Sequence, residues 1–441
     1  MTSNELTIEL KQHTPMIHFQ HKQSGATLRG TELKPKLDKF LKKYAFDNKI
    51  EDYKTYLIGY DKEKQENEIK KEKEDKEIKK GKQDEYLKKI ENNAFDYRVK
   101  INLKNKEDIN PKNIEDLKYY DNLYLGNIGS EESKKNRIIP KLIDNMEVEL
   151  KIFSFHTELI TKIEENIESF FAITNFGARQ NKGFGSFYPT DGLKKYEGFK
   201  KSINSIKNNV FFINYPEMDE NNQKIKNKEI KKQQFEDIYM LYKLMKSGYN
   251  FPDFRKEGKN KSYQKSKRKG ENKSYQKSLL FKYFLNKGID NEKKFIKCEF
   301  SINRDLKVDN PKYVRAVLGV APSMDFPKIC HTVTFKSDDI SRFKSPITFK
   351  IVDNNLAIIP EEIPKELFNK KFKFSNDYKS EDIYTPEDFD LEDFLKYVMR
   401  ELTNKNGPTY KEIKDSPNNL FSKPMKNCLK RLNPGVNNDR N

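Results

Sequence analysis

Apolar side chains recur along this chain with a fixed period in some stretches and vanish in others, and the periods predict the elements. Leu6, Ile8 and Leu10 alternate with polar residues and Met16-Ile17-His18-Phe19 continues the run, which predicts an opening strand that Thr14-Pro15 interrupts or bulges. Leu37, Phe40, Leu41 and Tyr44 then fall at helical spacing, with Thr31 as the expected N-cap and Pro35 as a first-turn residue. Alternation returns at Phe95 to Ile101 and most cleanly at Met146 to Phe155. A helix opened by His156 or Thr157 carries Leu159, Ile160, Ile163, Ile167, Phe170 and Phe171 on one stripe. A glycine-rich loop follows at 175–187, and Phe184, Phe187 and Tyr188 predict that it leads into another strand. Strand, helix, strand, strand, helix, strand is the order of a ferredoxin-like or RRM-like unit.

A second round begins with a strand at Asn209 to Ile213 and a helix bearing Phe235, Ile238, Tyr239, Leu241, Tyr242 and Leu244. Strands are expected around Phe295-Ile296, Tyr313 to Val320 and Pro346 to Val352. A last helix, Leu391 to Leu402, starts after Pro386-Glu387-Asp388, and the density of Asn, Pro and Lys beyond Asn404 predicts an irregular tail. The expected fold class is therefore α+β: two tandem ferredoxin-like (RRM-like) domains with polar insertions, at 1–205 and 206–405, and a tail at 406–441.

Two insertions break the periodicity. Residues 61–90 are almost entirely Lys, Glu, Gln, Asn and Asp with nearly cancelling charge, which favours a solvated helix or a disordered insert over an RNA arm. The second contains a duplication with a period of twelve. Gly258-Lys259-Asn260-Lys261-Ser262-Tyr263-Gln264-Lys265-Ser266 recurs as Gly270-Glu271-Asn272-Lys273-Ser274-Tyr275-Gln276-Lys277-Ser278, too short and polar for a solenoid. Residues 253–282 around it, read as a loop, hold eleven Lys or Arg against three acidic residues, a net +8. Tyr263 and Tyr275 are placed to stack on bases while lysines hold phosphates; a basic loop with no ligand is the plain alternative.

Composition narrows the function. Of 441 residues 35% are hydrophobic and 35% charged, and 86 Lys and Arg against 68 Asp and Glu leave +18. A polyanion is the natural partner, since Lys and Arg on phosphates release condensed counterions, although the lysine-rich usage of an AT-rich genome also contributes to such an excess. No window holds the roughly 18 uninterrupted apolar residues of a spanning helix, and the first residues lack the order of a secretion signal, so no membrane role and a cytoplasmic location are expected. Cys298, Cys330 and Cys428 are odd in number and never in CxxC spacing, which supports neither a disulfide framework nor a cysteine zinc site.

The five histidines, His13, His18, His21, His156 and His331, form no HExxH, so no metal and no cofactor is expected. His18 and His21, three apart near the first strand, are the one pair placed for a general base on a ribose hydroxyl. The Gly177 to Gly185 loop is not a P-loop, because no Lys-Ser or Lys-Thr follows and a strand rather than a helix comes next, which disfavours ATP. Its glycines let backbone approach a ligand and Arg179 and Lys182 offer charge, so a loop laid along a nucleic-acid backbone competes with a plain tight turn.

Three segments resemble a known family. Thr14-Pro15 followed by Gly25-Ala26-Thr27-Leu28-Arg29-Gly30-Thr31-Glu32-Leu33-Lys34 is similar to the N-terminal signature of RAMP-superfamily CRISPR proteins, as is Gly177-Ala178-Arg179-Gln180-Asn181-Lys182-Gly183-Phe184-Gly185-Ser186 after a long helix. Ile340-Ser341-Arg342-Phe343-Lys344-Ser345-Pro346-Ile347-Thr348-Phe349-Lys350 resembles the Arg-x-x-Ser-Pro strand of the first RAMP subunit of the Cmr (type III-B) effector. Lys34-Pro35 replaces the family's frequent Lys-Gly, the following helix lacks the usual aromatic run, and there is no Trp, which marks a divergent branch. The resemblance implies an RNA-binding, non-catalytic subunit of an antiviral ribonucleoprotein near the 3′ end of the guide, with guide RNA, target RNA and other RAMP subunits as partners. It implies RNA contacts by Arg29, Lys34, Lys36, Arg179, Lys182, Gly183, Phe184, Gly185, Arg342 and Lys344. The alternative is a metal-independent RAMP endoribonuclease that processes guide precursor with His18 or His21.

Overall fold

The structure is a computed structural model that describes residues 3–18, 27–61, 87–105, 112–113, 141–190, 195–218, 223–250, 275–300, 307–320, 333–340, 342–416 and 422–432. Phe19, His21, Gly25, Ala26, residues 62–86 of the first insert, 253–274 of the basic loop, Cys330, His331 and Ser341 lie outside them. The chain divides into two compact units, 1–208 with 350–353, and 209–349 with 354–441.

In the first unit the elements are β1 (Glu5–Gln12), β2 (Met16–His18), α1 (Gly30–Phe40), α2 (Ile50–Tyr53), β3 (Arg98–Leu103), β4 (Lys112–Asn113), β5 (Lys141–Ile143), β6 (Glu147–Phe153), α3 (Thr157–Ile173), β7 (Phe187–Pro189) and α4 (Lys195–Asn204). The main sheet runs β3-β6-β1-β7 with every neighbouring pair antiparallel. Alternation sets the register: Ile8 lies opposite Leu150 and Leu10 opposite Val148, all buried on one face, while Glu5, Thr7 and Glu9 stay exposed on the other. Thr14-Pro15 does break the opening strand, and β2 turns away to join a small sheet ordered β2-β5-β4. Leu33, Leu37 and Phe40 of α1 and Leu159, Ile163, Phe170 and Phe171 of α3 are buried.

The start of α1 corrects the sequence reading. Arg29, not Thr31, is the N-cap, and Pro35 stands inside the helix rather than in its first turn. Leu33, in the turn before Pro35, is fully buried, and the exposed Pro35 ring gives up one helical N–H.

The second unit contains β8 (Phe211–Asn214), α5 (Asn227–Lys246), β9 (Tyr249–Asn250), β10 (Tyr275–Gln276), α6 (Leu279–Leu285), β11 (Asp290–Asn291), α7 (Glu292–Glu299), β12 (Pro311–Lys312), β13 (Thr334–Lys336), β14 (Ile347–Val352, of which residues 350–352 belong to the first unit), β15 (Asn355–Pro360), β16 (Lys371–Ser375), β17 (Ser380–Tyr384), α8 (Leu391–Thr403), α9 (Pro408–Lys414) and α10 (Ser422–Leu432). Its sheets run β14-β15-β8, β11-β12-β17-β16-β13 and β10-β9. Around the five-stranded sheet Phe295, Ile296, Tyr313, Phe335, Phe372 and Phe374 form one core. The whole is thus a mixed α+β chain with several antiparallel sheets.

Four expectations fail here. Phe295-Ile296 lies in a helix, because the Asn291 side chain accepts from the Lys293 and Lys294 N–H groups and caps α7. Val314–Leu318 is a buried 3-10 turn, a short apolar run that periodicity does not separate from a strand. The chain beyond Asn404 is not wholly irregular: Gly407 caps α9 with Pro408 at its first position, and α10 buries Met425, Cys428 and Leu429. The basic loop ends before residue 282, since Ser278 accepts from the Phe281 N–H and starts α6.

Candidate nucleic-acid interface

The glycine-rich loop leaves α3 at Thr174 and returns at Ser186, its ends joined by the Asn175–Ser186 bridge. Phe176 and Phe187 anchor it, packing on each other and, through Phe176, on Phe170 and Phe171. Gly177 has φ +78, and a Cβ there would stand 2.7 Å from Met16 Cγ and 2.8 Å from the Ile17 carbonyl oxygen. That crowding lets Ala178 donate to the Ile17 carbonyl at 2.9 Å. Gly185, at φ +70, donates to the Pro15 carbonyl at 2.8 Å and accepts from the Phe176 N–H at 2.9 Å. A Cβ on Gly185 would lie 1.8 Å from the Phe176 carbonyl oxygen. These glycines let the chain approach itself, where the sequence suggested approach to a ligand. Thr14, at the strand break, donates to the Gly183 carbonyl at 2.6 Å and accepts from the Ser186 N–H at 2.9 Å.

Charged groups fix the rest. Glu32 accepts from the Gly177 N–H at 2.8 Å, from Gln180 at 3.2 Å and from Lys36 at 3.0 Å. Lys36 also donates to the Asn175 carbonyl and to Gln180 Oε1, both at 2.8 Å, so its ammonium is spent within the loop. Lys350, with no exposed surface, donates to the Thr174 carbonyl at 2.7 Å and the Phe187 carbonyl at 3.0 Å, tying together the loop's two ends. Burial, with Lys36 adding to it, pushes the Lys350 pKa well down. The rest of that segment is held alongside: Ser186 donates to the Ile351 carbonyl at 2.6 Å, and Lys11 reaches Asp353 at 2.9 Å.

Arg179 sits at the corner of the loop with φ +57, its carbonyl accepting from the Lys182 N–H at 2.9 Å. Burial alone lowers its pKa, no carboxylate pairs with it among the described residues, and a guanidinium stays charged regardless. The loop thus presents a cation on a frame that is already hydrogen-bonded. Such a frame holds an anion without reordering itself.

The expected contact residues fall into three groups. Arg29 is exposed at the start of α1, and Arg179 and Lys182 are half-buried in the loop. Lys34, Lys36, Gly183, Phe184 and Gly185 are built into the fold. Lys34 donates to Asp38 at 3.2 Å and to the Phe95 carbonyl at 2.7 Å, and Phe184 is only 2% exposed, so its ring stacks on the core and not on a base. Arg342 and Lys344 belong to the second unit, exposed on either side of Phe343, which pairs with Val320. Glu32, Gln180 and Lys350 were missed. Lys350 carried a signal, a charge inside the apolar run Ile347 to Val352, whereas Glu32 and Gln180 lie within the two signature segments with nothing of their own to single them out.

Two family models match: the Cmr1 N-terminal domain over residues 3–249 and the Cmr1 C-terminal domain over residues 275–419. The chain belongs to the Cmr1 family. It is thus a Cmr1-like RAMP protein, and membership implies a subunit of a type III-B CRISPR effector. Among solved structures it is similar to the crystal structure of Cmr1 from Pyrococcus furiosus in its apo form, at 10% identity and a TM-score of 0.34, over 82% of this chain and 89% of that one. No curated protein matches. Among the described residues no helix is long and apolar enough to cross a membrane, and no group of three or more His, Cys, Asp and Glu is placed to hold a metal ion.

Proposed function

We propose that this Cmr1-family chain is an RNA-binding structural subunit of the effector, without catalytic activity of its own, placed near the 3′ end of the guide and holding guide and target RNA in the cytoplasm for antiviral defence beside other RAMP subunits. Arg179 carries the reading: a half-buried cation with no carboxylate partner among the described residues, on a loop locked by Glu32, Lys36 and Lys350. Phosphate contacts of this kind position a strand and leave sequence to base pairing.

Two ferredoxin-like domains, with boundaries near 205 and 405, belong to the same proposal. The first unit's order β3-β6-β1-β7 is the one a strand, helix, strand, strand, helix, strand chain produces with α1 and α3 as its helices. In the second unit β8, α5, β14, β15 and α8 follow the same chain order, and β14-β15-β8 repeats three of those four places, with residues 247–346 as the insertion.

Changing Arg179 and Lys182 together to Ala should weaken single-stranded RNA binding and lower the log–log salt slope by roughly 0.7 for each phosphate that is no longer neutralised. Unchanged affinity and slope across a salt titration would remove the assignment.

A further inference from the structure

His18 lies beside the glycine-rich loop, across the short bridge that ties the loop to β2. It closes β2, is 5% exposed, and its Nε2 is buried without a hydrogen-bond partner among the described residues. The ring does bond to the Thr27 backbone, in the sense that favours its protonated form, so a ring N–H donates to the Thr27 carbonyl. With Nε2 unpartnered, that donor is Nδ1. In the neutral imidazole Nε2 then carries the lone pair and is an acceptor. Burial, helped by Arg29 and opposed by Glu32 and the Thr27 bond, lowers the His18 pKa and favours this form at neutral pH.

The surroundings specify the donor. The Ile17–Ala178 bridge sets His18 across from Gly177, whose N–H is bound to Glu32. Arg29, exposed and within electrostatic reach of the ring, occupies the N-cap of α1 with extended backbone and offers no side-chain cap to the eleven-residue helix. A helix N-terminus beside a guanidinium suits a phosphate. The hydroxyl that accompanies a phosphate in RNA, and is missing in DNA, is the ribose 2′-OH, a donor.

We propose that His18 reads the sugar of the bound strand: its Nε2 accepts a hydrogen bond from a ribose 2′-hydroxyl of a nucleotide whose phosphate lies at the N-terminus of α1 beside Arg29. His18 is thereby a specificity-determining residue for RNA over DNA. The inference rests on the RNA-binding reading above and deepens it.

Fluorescence anisotropy with the full chain tests it, using one labelled single-stranded RNA sequence, its 2′-deoxy form and its 2′-fluoro form, which keeps the RNA sugar pucker but cannot donate. The native chain should bind RNA more tightly than either analogue by roughly three- to tenfold, the worth of one hydrogen bond to a buried acceptor. His18→Phe should abolish the preference over the 2′-fluoro form, and His18→Gln, which keeps an acceptor, should retain part of it. Equal binding of all three strands by the native chain overturns the inference whatever the variants do. So does a preference that survives in a folded His18→Phe chain, or cleavage of the RNA to a cyclic phosphate, which would make His18 a general base instead. Failure to bind any of the three strands removes the RNA-binding reading itself, whereas binding without discrimination removes only the role of His18.

Discussion

Lys246 of α5 donates to the Gly319 carbonyl at 2.6 Å and the Leu318 carbonyl at 3.3 Å. Burial, with Arg315 adding and Glu292 opposing, lowers its pKa to about 7. The unfolded chain then holds the proton that the folded one releases, so this lysine's contribution to stability is fully present only above its unfolded pKa and is lost as the pH falls towards about 7. Urea midpoints should rise between pH about 7 and about 9 more steeply in the native chain than in Lys246→Met; parallel slopes would show that Lys246 does not titrate in that window. Two glycines with nearly the same φ offer a second contrast. Gly185→Ala forces a Cβ to 1.8 Å from a carbonyl oxygen, whereas Gly288, at φ +72, has nothing within 4 Å of its Cβ position. Gly288→Ala should cost about 1–2 kcal/mol from backbone strain alone, and Gly185→Ala clearly more by overpacking, as calorimetry of the two variants can read.

Elements in this chain hold or fail on a few side chains. The helix α10, in a stretch expected to be irregular, docks through Arg431, which makes a bidentate pair with the fully buried Asp237 at 2.8 and 2.5 Å. Tyr215 donates to the same carboxylate at 2.7 Å. Arg431→Met leaves that carboxylate without its cation, at a cost of about 3–5 kcal/mol. Limited proteolysis should then cut at α10 while the rest of the chain resists; an unaltered digest would mean that apolar burial of Met425, Cys428 and Leu429 suffices. The glycine-rich loop fails or holds on Lys350 in the same way, and Lys350 lies more than 160 residues along the chain from either carbonyl it binds.

Charge belongs to the whole molecule, and the duplicated segment is where it concentrates. Gln276 and Ser278 of the second copy are committed to the fold, Gln276 buried in the β9–β10 ladder and Ser278 donating to the Met245 carbonyl at 2.8 Å. Deleting residues 258–269 removes six Lys or Arg and no acid, lowering the net charge from +18 to +12. The thermal transition should stay in place while RNA association slows and its salt dependence weakens; stopped-flow binding at two salt concentrations would show whether the copy contributes at all.

How much of this was legible in advance follows from the range of the forces involved. Local periodicity predicted β1, β6, α3, β14 and α8 to within a few residues and the existence of α5, because burying one face of a strand or helix imposes its period on the sequence. It misread Phe295-Ile296, Val314 to Leu318 and the chain after Asn404, where a cap or a distant neighbour chooses between equally apolar alternatives. The candidate site shows the same division. Motif spacing marked the loop and Arg179, but the cation on a locked frame depends on Glu32, Lys36 and Lys350, and the unpartnered, buried acceptor on His18 depends on Thr27. The sequence alone determined which residue types are present and which local periods they support. Which ammonium groups are consumed inside the protein, and which face outward, is set by hydrogen bonds between segments far apart in the chain, and these exist only once it has folded.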